Sequence, residues 1–175
     1  MESTFIEDAL IQSESAHVDI IMRQPLPQMT LLQGTIGPVA ALQRTEVPMW
    51  LAILLRRQQR CTVLIPSWLS KDTIKGWISD ERRRTDSLTP LPWHWYSIGL
   101  VLLKEARPDF AESPLELQAL LAELHDLRGA KTRAGLSSLD GVYLNLTGLA
   151  HLEIASLKPI LAPAMKKLSN ISSTN

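Results

Sequence analysis

The hydrophobic pattern changes character near Val47: short apolar runs broken by Pro and Gly precede it, and helix-spaced stripes follow. Phe5, Ile6, Ala9 and Leu10 are spaced for a short helix. Val18 to Met22 and Met29 to Leu32 read as short strands separated by Pro25 and Pro27, and a further strand is expected near Val39 to Gln43. Gly34 and Gly37-Pro38 supply turn positions. From Val47 helices dominate. Pro48 suits a first helical turn, and Met49, Trp50, Ile53 and Leu54 form the expected stripe. Cys61 to Ile65 is extended, Pro66 breaks the chain, and Ser70 is positioned to cap a helix whose buried face carries Ile74, Trp77 and Ile78 and whose end carries Arg82, Arg83 and Arg84.

Trp93 to Ala106 is apolar almost all round at Ile98 to Leu103, which predicts a central helix in contact on more than one side. Leu117, Leu120, Leu121, Leu124 and Leu127 predict an amphipathic helix from Ser113-Pro114 toward Ala134. A last helical stretch runs through Leu149, Leu152, Leu157, Ile160, Leu161, Ala164 and Leu168, with a break expected at Pro159 and Pro163. The fold class is mainly α: a small β-rich N-terminal domain, residues 1–60, ahead of a helical domain, residues 61–175.

Composition narrows the function classes. A chain of 175 residues that is 45% hydrophobic has enough apolar material for a core. Eighteen basic against eighteen acidic side chains leave no overall field toward nucleic acid or anionic lipid. The apolar run Val47 to Leu55 is about half of the ~20 residues a membrane span needs, so no membrane is expected. One cysteine, Cys61, and an acidic start, MESTFIEDAL, point to a reducing compartment.

Candidate chemistry is sparse. His17, His94, His125 and His151 share no ligand spacing, and Cys61 has no second cysteine and sits in an apolar stretch that reads as core. Gly34-Thr35-Ile36-Gly37 lacks the lysine and hydroxyl of a phosphate loop and reads as a turn. Glu7-Asp8 and Asp80-Glu81 are adjacent carboxylates that point apart on a helix and read as solvated faces. Five tryptophans against two Phe and two Tyr suit either core or contact surface. The core is favoured for Trp50, Trp68 and Trp77, whereas Trp93 and Trp95 are balanced between core and partner. Arg56, Arg57 and Arg60 with Arg82 to Arg84 would form the basic patch of a free-standing nucleic-acid-binding module, the alternative reading.

Thr45-Glu46-Val47-Pro48-Met49-Trp50-Leu51-Ala52, then Arg56 to Arg60, Cys61 and Pro66-Ser67-Trp68-Leu69, resembles the second-subunit family of the eukaryotic GINS complex. Leu91-Pro92-Trp93-His94-Trp95, Leu127-Arg128 through Lys131 and Gly135-Leu136, and Leu152-Glu153-Ile154 before Lys158-Pro159 keep the same order. The sequence departs from the family pattern at Gly148 and Ala155, beside the cap of the last helix. The resemblance implies a structural, non-catalytic subunit of a pseudo-symmetric tetramer with three other GINS subunits. It further implies that the tetramer joins the MCM ring and its cell-division-cycle partner in the replicative helicase, where ATP is hydrolysed by MCM. The subunit would be nuclear and need no cofactor, catalytic group or metal. Trp50, Trp68, Trp93, Trp95, Arg128 and Arg133 are then core or subunit-contact residues.

Overall fold

The computed structural model describes residues 16–31, 34–84, 87–137 and 148–157. The expected helix at Phe5 to Leu10 and the break at Pro159 and Pro163 lie outside these residues.

Strand β1, His17–Met22, is the centre of a three-stranded antiparallel sheet flanked by β4, Arg44–Pro48, and β5, Cys61–Val63. Alternation decides its faces. Val18, Ile20 and Met22 are buried, and they pair across the sheet with Val47, with Thr45 and Val63, and with Cys61 respectively. A separate hairpin joins β2, Met29–Leu31, to β3, Gly34–Ile36, so Gly34 begins a strand where a turn was expected. The strand expected at Val39 to Gln43 is also displaced: Val39 forms an isolated bridge to Leu26, Leu42 adopts a positive φ of 63°, and the strand begins at Arg44.

Helix α1, Met49–Arg57, follows β4 directly, with Pro48 in the cap position. It buries Met49, Leu51, Ala52 and Leu55. The expected stripe is therefore rotated, and Trp50 at 38% and Leu54 at 47% exposure face outward. Seven consecutive apolar residues, Met49 to Leu55, let either face serve as the inside, and packing on the sheet selects one.

Ser70 caps α2, Lys71–Arg83, by accepting from the Thr73 N–H. Helix α3, Trp95–Glu105, and α4, Pro114–Ser137, complete the described bundle with a short helix over residues 151–157. Pro114 occupies the first helical position of α4, where its missing N–H costs nothing. Leu117, Leu121 and Leu124 are fully buried, each burial worth about 1.5–3 kcal/mol. Gly99 lets α3 and α4 approach closely, because a Cβ there would stand 2.7 Å from Leu121 Cδ1. No helix among the described residues is long and apolar enough to cross a membrane.

Candidate functional site

The polar centre of the bundle is built around Arg128, which is fully buried on α4. Its position follows from helix period, since 117, 121, 124 and 128 fall on one face. Arg128 Nε donates to Glu153 Oε1 at 2.5 Å and Nη2 to Glu153 Oε2 at 2.9 Å. Nη1 donates to Glu81 Oε2 at 3.1 Å and to the Thr89 carbonyl at 2.8 Å, and Nη2 also reaches the Gly148 carbonyl at 2.7 Å. These five bonds match the five N–H donors of a guanidinium. A buried charge left short of partners would be expensive; this one is fully engaged.

Glu81 closes the other side. It belongs to α2 and is fully buried, not solvated as its pairing with Asp80 suggested. The available signal was its spacing from Ile74 and Ile78, which puts it on the buried face. Lys131 Nζ donates to Glu81 Oε1 at 2.8 Å, to the Glu81 carbonyl at 2.7 Å and to the Ser87 carbonyl at 3.1 Å, and the Thr89 N–H donates to Glu81 Oε2 at 2.8 Å. Burial pushes the carboxyl's pKa up, but the Lys131 ammonium and the Thr89 N–H outweigh it and hold it below its ordinary value.

Glu153 does double duty. Besides holding Arg128, its Oε2 accepts the Ala150 N–H at 2.8 Å, the reach-back of a capping box from the third helical position. The last described helix is thus capped by its own glutamate. Gly148 precedes it with φ +85°, and a Cβ there would meet the Leu88 carbonyl oxygen at 3.0 Å. One ion cluster therefore ties α2, the 87–89 loop, α4 and the 148–157 segment together.

A second set of ties joins the sheet module to the bundle. Asp109 Oδ2 accepts both Arg56 Nε at 2.6 Å and the Val63 N–H at 3.0 Å, linking α1, β5 and the short helix Arg107–Asp109. Arg57 grips Glu105 in a fork of 2.8 and 2.7 Å. On the bundle surface Arg82 pairs with Glu123 at 2.5 Å, and Arg83 pairs with Asp80. Four of the six arginines assigned to a nucleic-acid patch thus already hold carboxylates.

The tryptophans divide. Trp95 is buried at the start of α3, Trp68 is half-buried and stacked on Trp77 at 6.0 Å between centroids, and Trp50 and Trp93 are exposed. Trp50 thus departs from the core expectation. Arg133 is exposed on α4. Trp93, at 50% exposure, lies beside His151, with ring centroids 5.7 Å apart, and the His151 N–H donates to the Trp93 carbonyl at 3.0 Å. His94 and His151 sit 4.8 Å apart, and burial, then the neighbouring His151, lowers the pKa of His94.

No group of three or more His, Cys, Asp or Glu among the described residues could hold a metal ion. A concavity of about 300 Å³ between β5 and Phe110 includes Asp109 and Glu112, but Asp109 is engaged as above and Glu112 accepts the Lys71 N–H. Cys61 is buried, and burial, then the charge of Asp109, pushes its thiol up to about 11, which removes the reactive thiolate.

These features define a class: a small β module leading into a helical bundle whose buried charges serve as internal ties. Comparison with known proteins gives the family. The model of the PSF2 N-terminal domain matches residues 10–64, and that of the GINS complex protein helical bundle domain matches residues 68–172. The chain is similar to the DNA replication complex GINS protein PSF2 of Candida albicans, at 30% identity over 93% of this chain and 80% of the relative. It is similar to the protein of the same name from Saccharomyces cerevisiae at 32% over 78% of this chain and 64% of the relative. A probable PSF2 of Drosophila melanogaster is 29% identical over 92% of this chain and 80% of the relative. The chain belongs to the PSF2 family of GINS complex proteins.

Proposed function

We propose that this chain is a structural, non-catalytic subunit of a four-subunit GINS assembly in the nucleus. Together with three other GINS subunits it joins the MCM ring and its cell-division-cycle partner in the replicative helicase, serving initiation and elongation of DNA replication. It brings no cofactor of its own. The observation that carries the reading is the match of both modules, in order, to the two domain models of one family.

The physical build agrees with a scaffold. Its buried ions are spent on holding elements in register, and Trp50 and Trp93 remain on the outside where a partner would bury them. Trp95 and Arg128 serve the core in this reading, Trp68 lies between core and surface, and Arg133 lies at a contact rim. A small β module followed by a helical domain, with the division near residue 60, belongs to the same reading, and the pairing of Cys61–Val63 with β1 supports counting β5 with the first of them. A free-standing nucleic-acid module is less well supported, since Arg56, Arg57, Arg82 and Arg83 are already ion-paired.

The test is a reconstitution with purified MCM ring and its cell-division-cycle partner, following DNA unwinding with the four-subunit assembly and with an assembly lacking this chain. Unwinding should require the chain. Equal unwinding without it would remove the helicase role.

A further inference from the structure

The chain separates its charges along its length. Residues 20–63 hold five arginines and one acid, Glu46, whereas residues 105–126 hold six acids and one arginine, Arg107. The fold lays the end of α1, from the first stretch, against the start of the second, and two ion pairs cross the seam. Asp109, whose side chain is 3% exposed, takes Arg56 Nε at 2.6 Å. Arg57 forks onto Glu105 and holds its carboxyl below the ordinary carboxylate pKa. Asp109 is itself fastened to the end of α3: its N–H donates to the Ala106 carbonyl at 2.9 Å, and Arg107 Nε donates to the Leu103 carbonyl at 3.1 Å.

Apolar packing does not close the whole seam. The core runs on from the sheet module into the bundle, but beside Asp109 the surfaces part, leaving the cleft of about 300 Å³ between residues 62–67 and 109–112. The chain passes from β5 to α2 through residues 64–70, which form neither helix nor strand. In the sheet order β4-β1-β5, β5 is an edge strand, and its Val63 N–H donates outward to Asp109 Oδ2 at 3.0 Å. An open edge donor is a template for strand addition. Here one carboxylate oxygen covers that donor and ties the seam at once.

We propose that Asp109, with Arg56, Arg57 and Glu105, forms a latch that sets the angle of the sheet module on the bundle and keeps the edge of β5 closed. Without it the module rocks on the continuous core, pivoting at residues 64–70, and the Val63 N–H opens to solvent. The latch lies within this chain and is independent of the assembly proposed above.

The experiment places nitroxide labels at Glu46→Cys on β4 and Gln118→Cys on α4, both exposed positions, in the full chain carrying Cys61→Ala. Pulsed electron resonance measures the distance between the labels, and amide exchange is followed at Val63. The latched chain should give one narrow distance. Asp109→Ala should add a second distance population and speed Val63 exchange at least about tenfold, the scale of a lost hydrogen bond to a charged group. Glu105→Gln leaves Asp109 intact and should move both readouts the same way by less. Raising salt from about 0.1 M to about 1 M should move the wild-type latch toward Glu105→Gln, because the Arg57–Glu105 pair is partly exposed and is screened. Arg82→Gln, which cuts a pair inside the bundle, should change neither readout. One narrow distance in Asp109→Ala would overturn the latch, and so would equal broadening in Arg82→Gln. If Asp109→Ala does not fold, Glu105→Gln decides, and an unchanged distance with unchanged Val63 exchange there overturns the proposal.

Discussion

Arg128 and Glu153 face each other as two parallel forks, Nε to Oε1 at 2.5 Å and Nη2 to Oε2 at 2.9 Å, across 25 residues of sequence and wholly inside the protein. The pair anchors the 151–157 helix to α4. Removing one member of a buried pair leaves the other charged and unpaired, so Arg128→Met is expected to cost about 3–5 kcal/mol. Urea unfolding followed by circular dichroism measures it, and a loss under about 1 kcal/mol would show that the cluster is not a structural tie.

Gly148 holds φ +85° within 3.0 Å of the Leu88 carbonyl oxygen, counted from the Cβ it lacks. Gly148→Ala should destabilise by roughly 1–2 kcal/mol, the cost of a left-handed conformation for a residue with a side chain. Gly148→Asn should cost less, because asparagine tolerates that region. Melting temperatures of the two variants give the order directly.

Acid should unfold the chain in two stages. Burial lowers the pKa of His125 and, together with the nearby His151, that of His94; Glu81 is also lowered, by Lys131 and Thr89 acting against burial. Each therefore binds fewer protons folded than unfolded, and stability rises with pH. The histidine contribution is complete above the ordinary imidazole value and disappears as the pH falls through the depressed folded values. The Glu81 contribution survives to lower pH and disappears below the ordinary carboxylate range. Melting temperature scanned from about pH 8 to about pH 3 should show both steps, and His94→Gln with His125→Gln should remove the first.

Cys61 lies in the core with its thiol pushed up to about 11 by burial and the Asp109 charge. Iodoacetamide at neutral pH should label it only after unfolding, as read by mass spectrometry. Rapid labelling of the native chain would place β5 outside the sheet.

How much the sequence disclosed depends on how one-sided each element is. The α4 stripe from Leu117 to Leu127 and the Ser70 cap are found as expected, because polar residues opposite the stripe leave one possible face. In α1 that contrast is missing, so the sheet beneath it decided that Trp50 faces out. Strand β4 was displaced by five residues because Arg44 and Glu46 on its exposed face hide the alternation of Thr45 and Val47. Among the tie residues, the family resemblance singles out Arg128 as core or contact, and its side chain is fully buried within this chain. Glu81 was missed, since adjacency to Asp80 was weighed above its spacing from Ile74 and Ile78. That Glu153 meets Arg128 needed tertiary structure.

The central claim, that this chain is an obligate part of a four-subunit assembly, is tested most directly by light scattering after size-exclusion chromatography. The chain is measured alone and co-expressed with the other three GINS subunits. One particle containing one copy of each chain, into which this chain is drawn on co-expression, is the predicted result. A well-behaved monomer that elutes apart from those partners would contradict it.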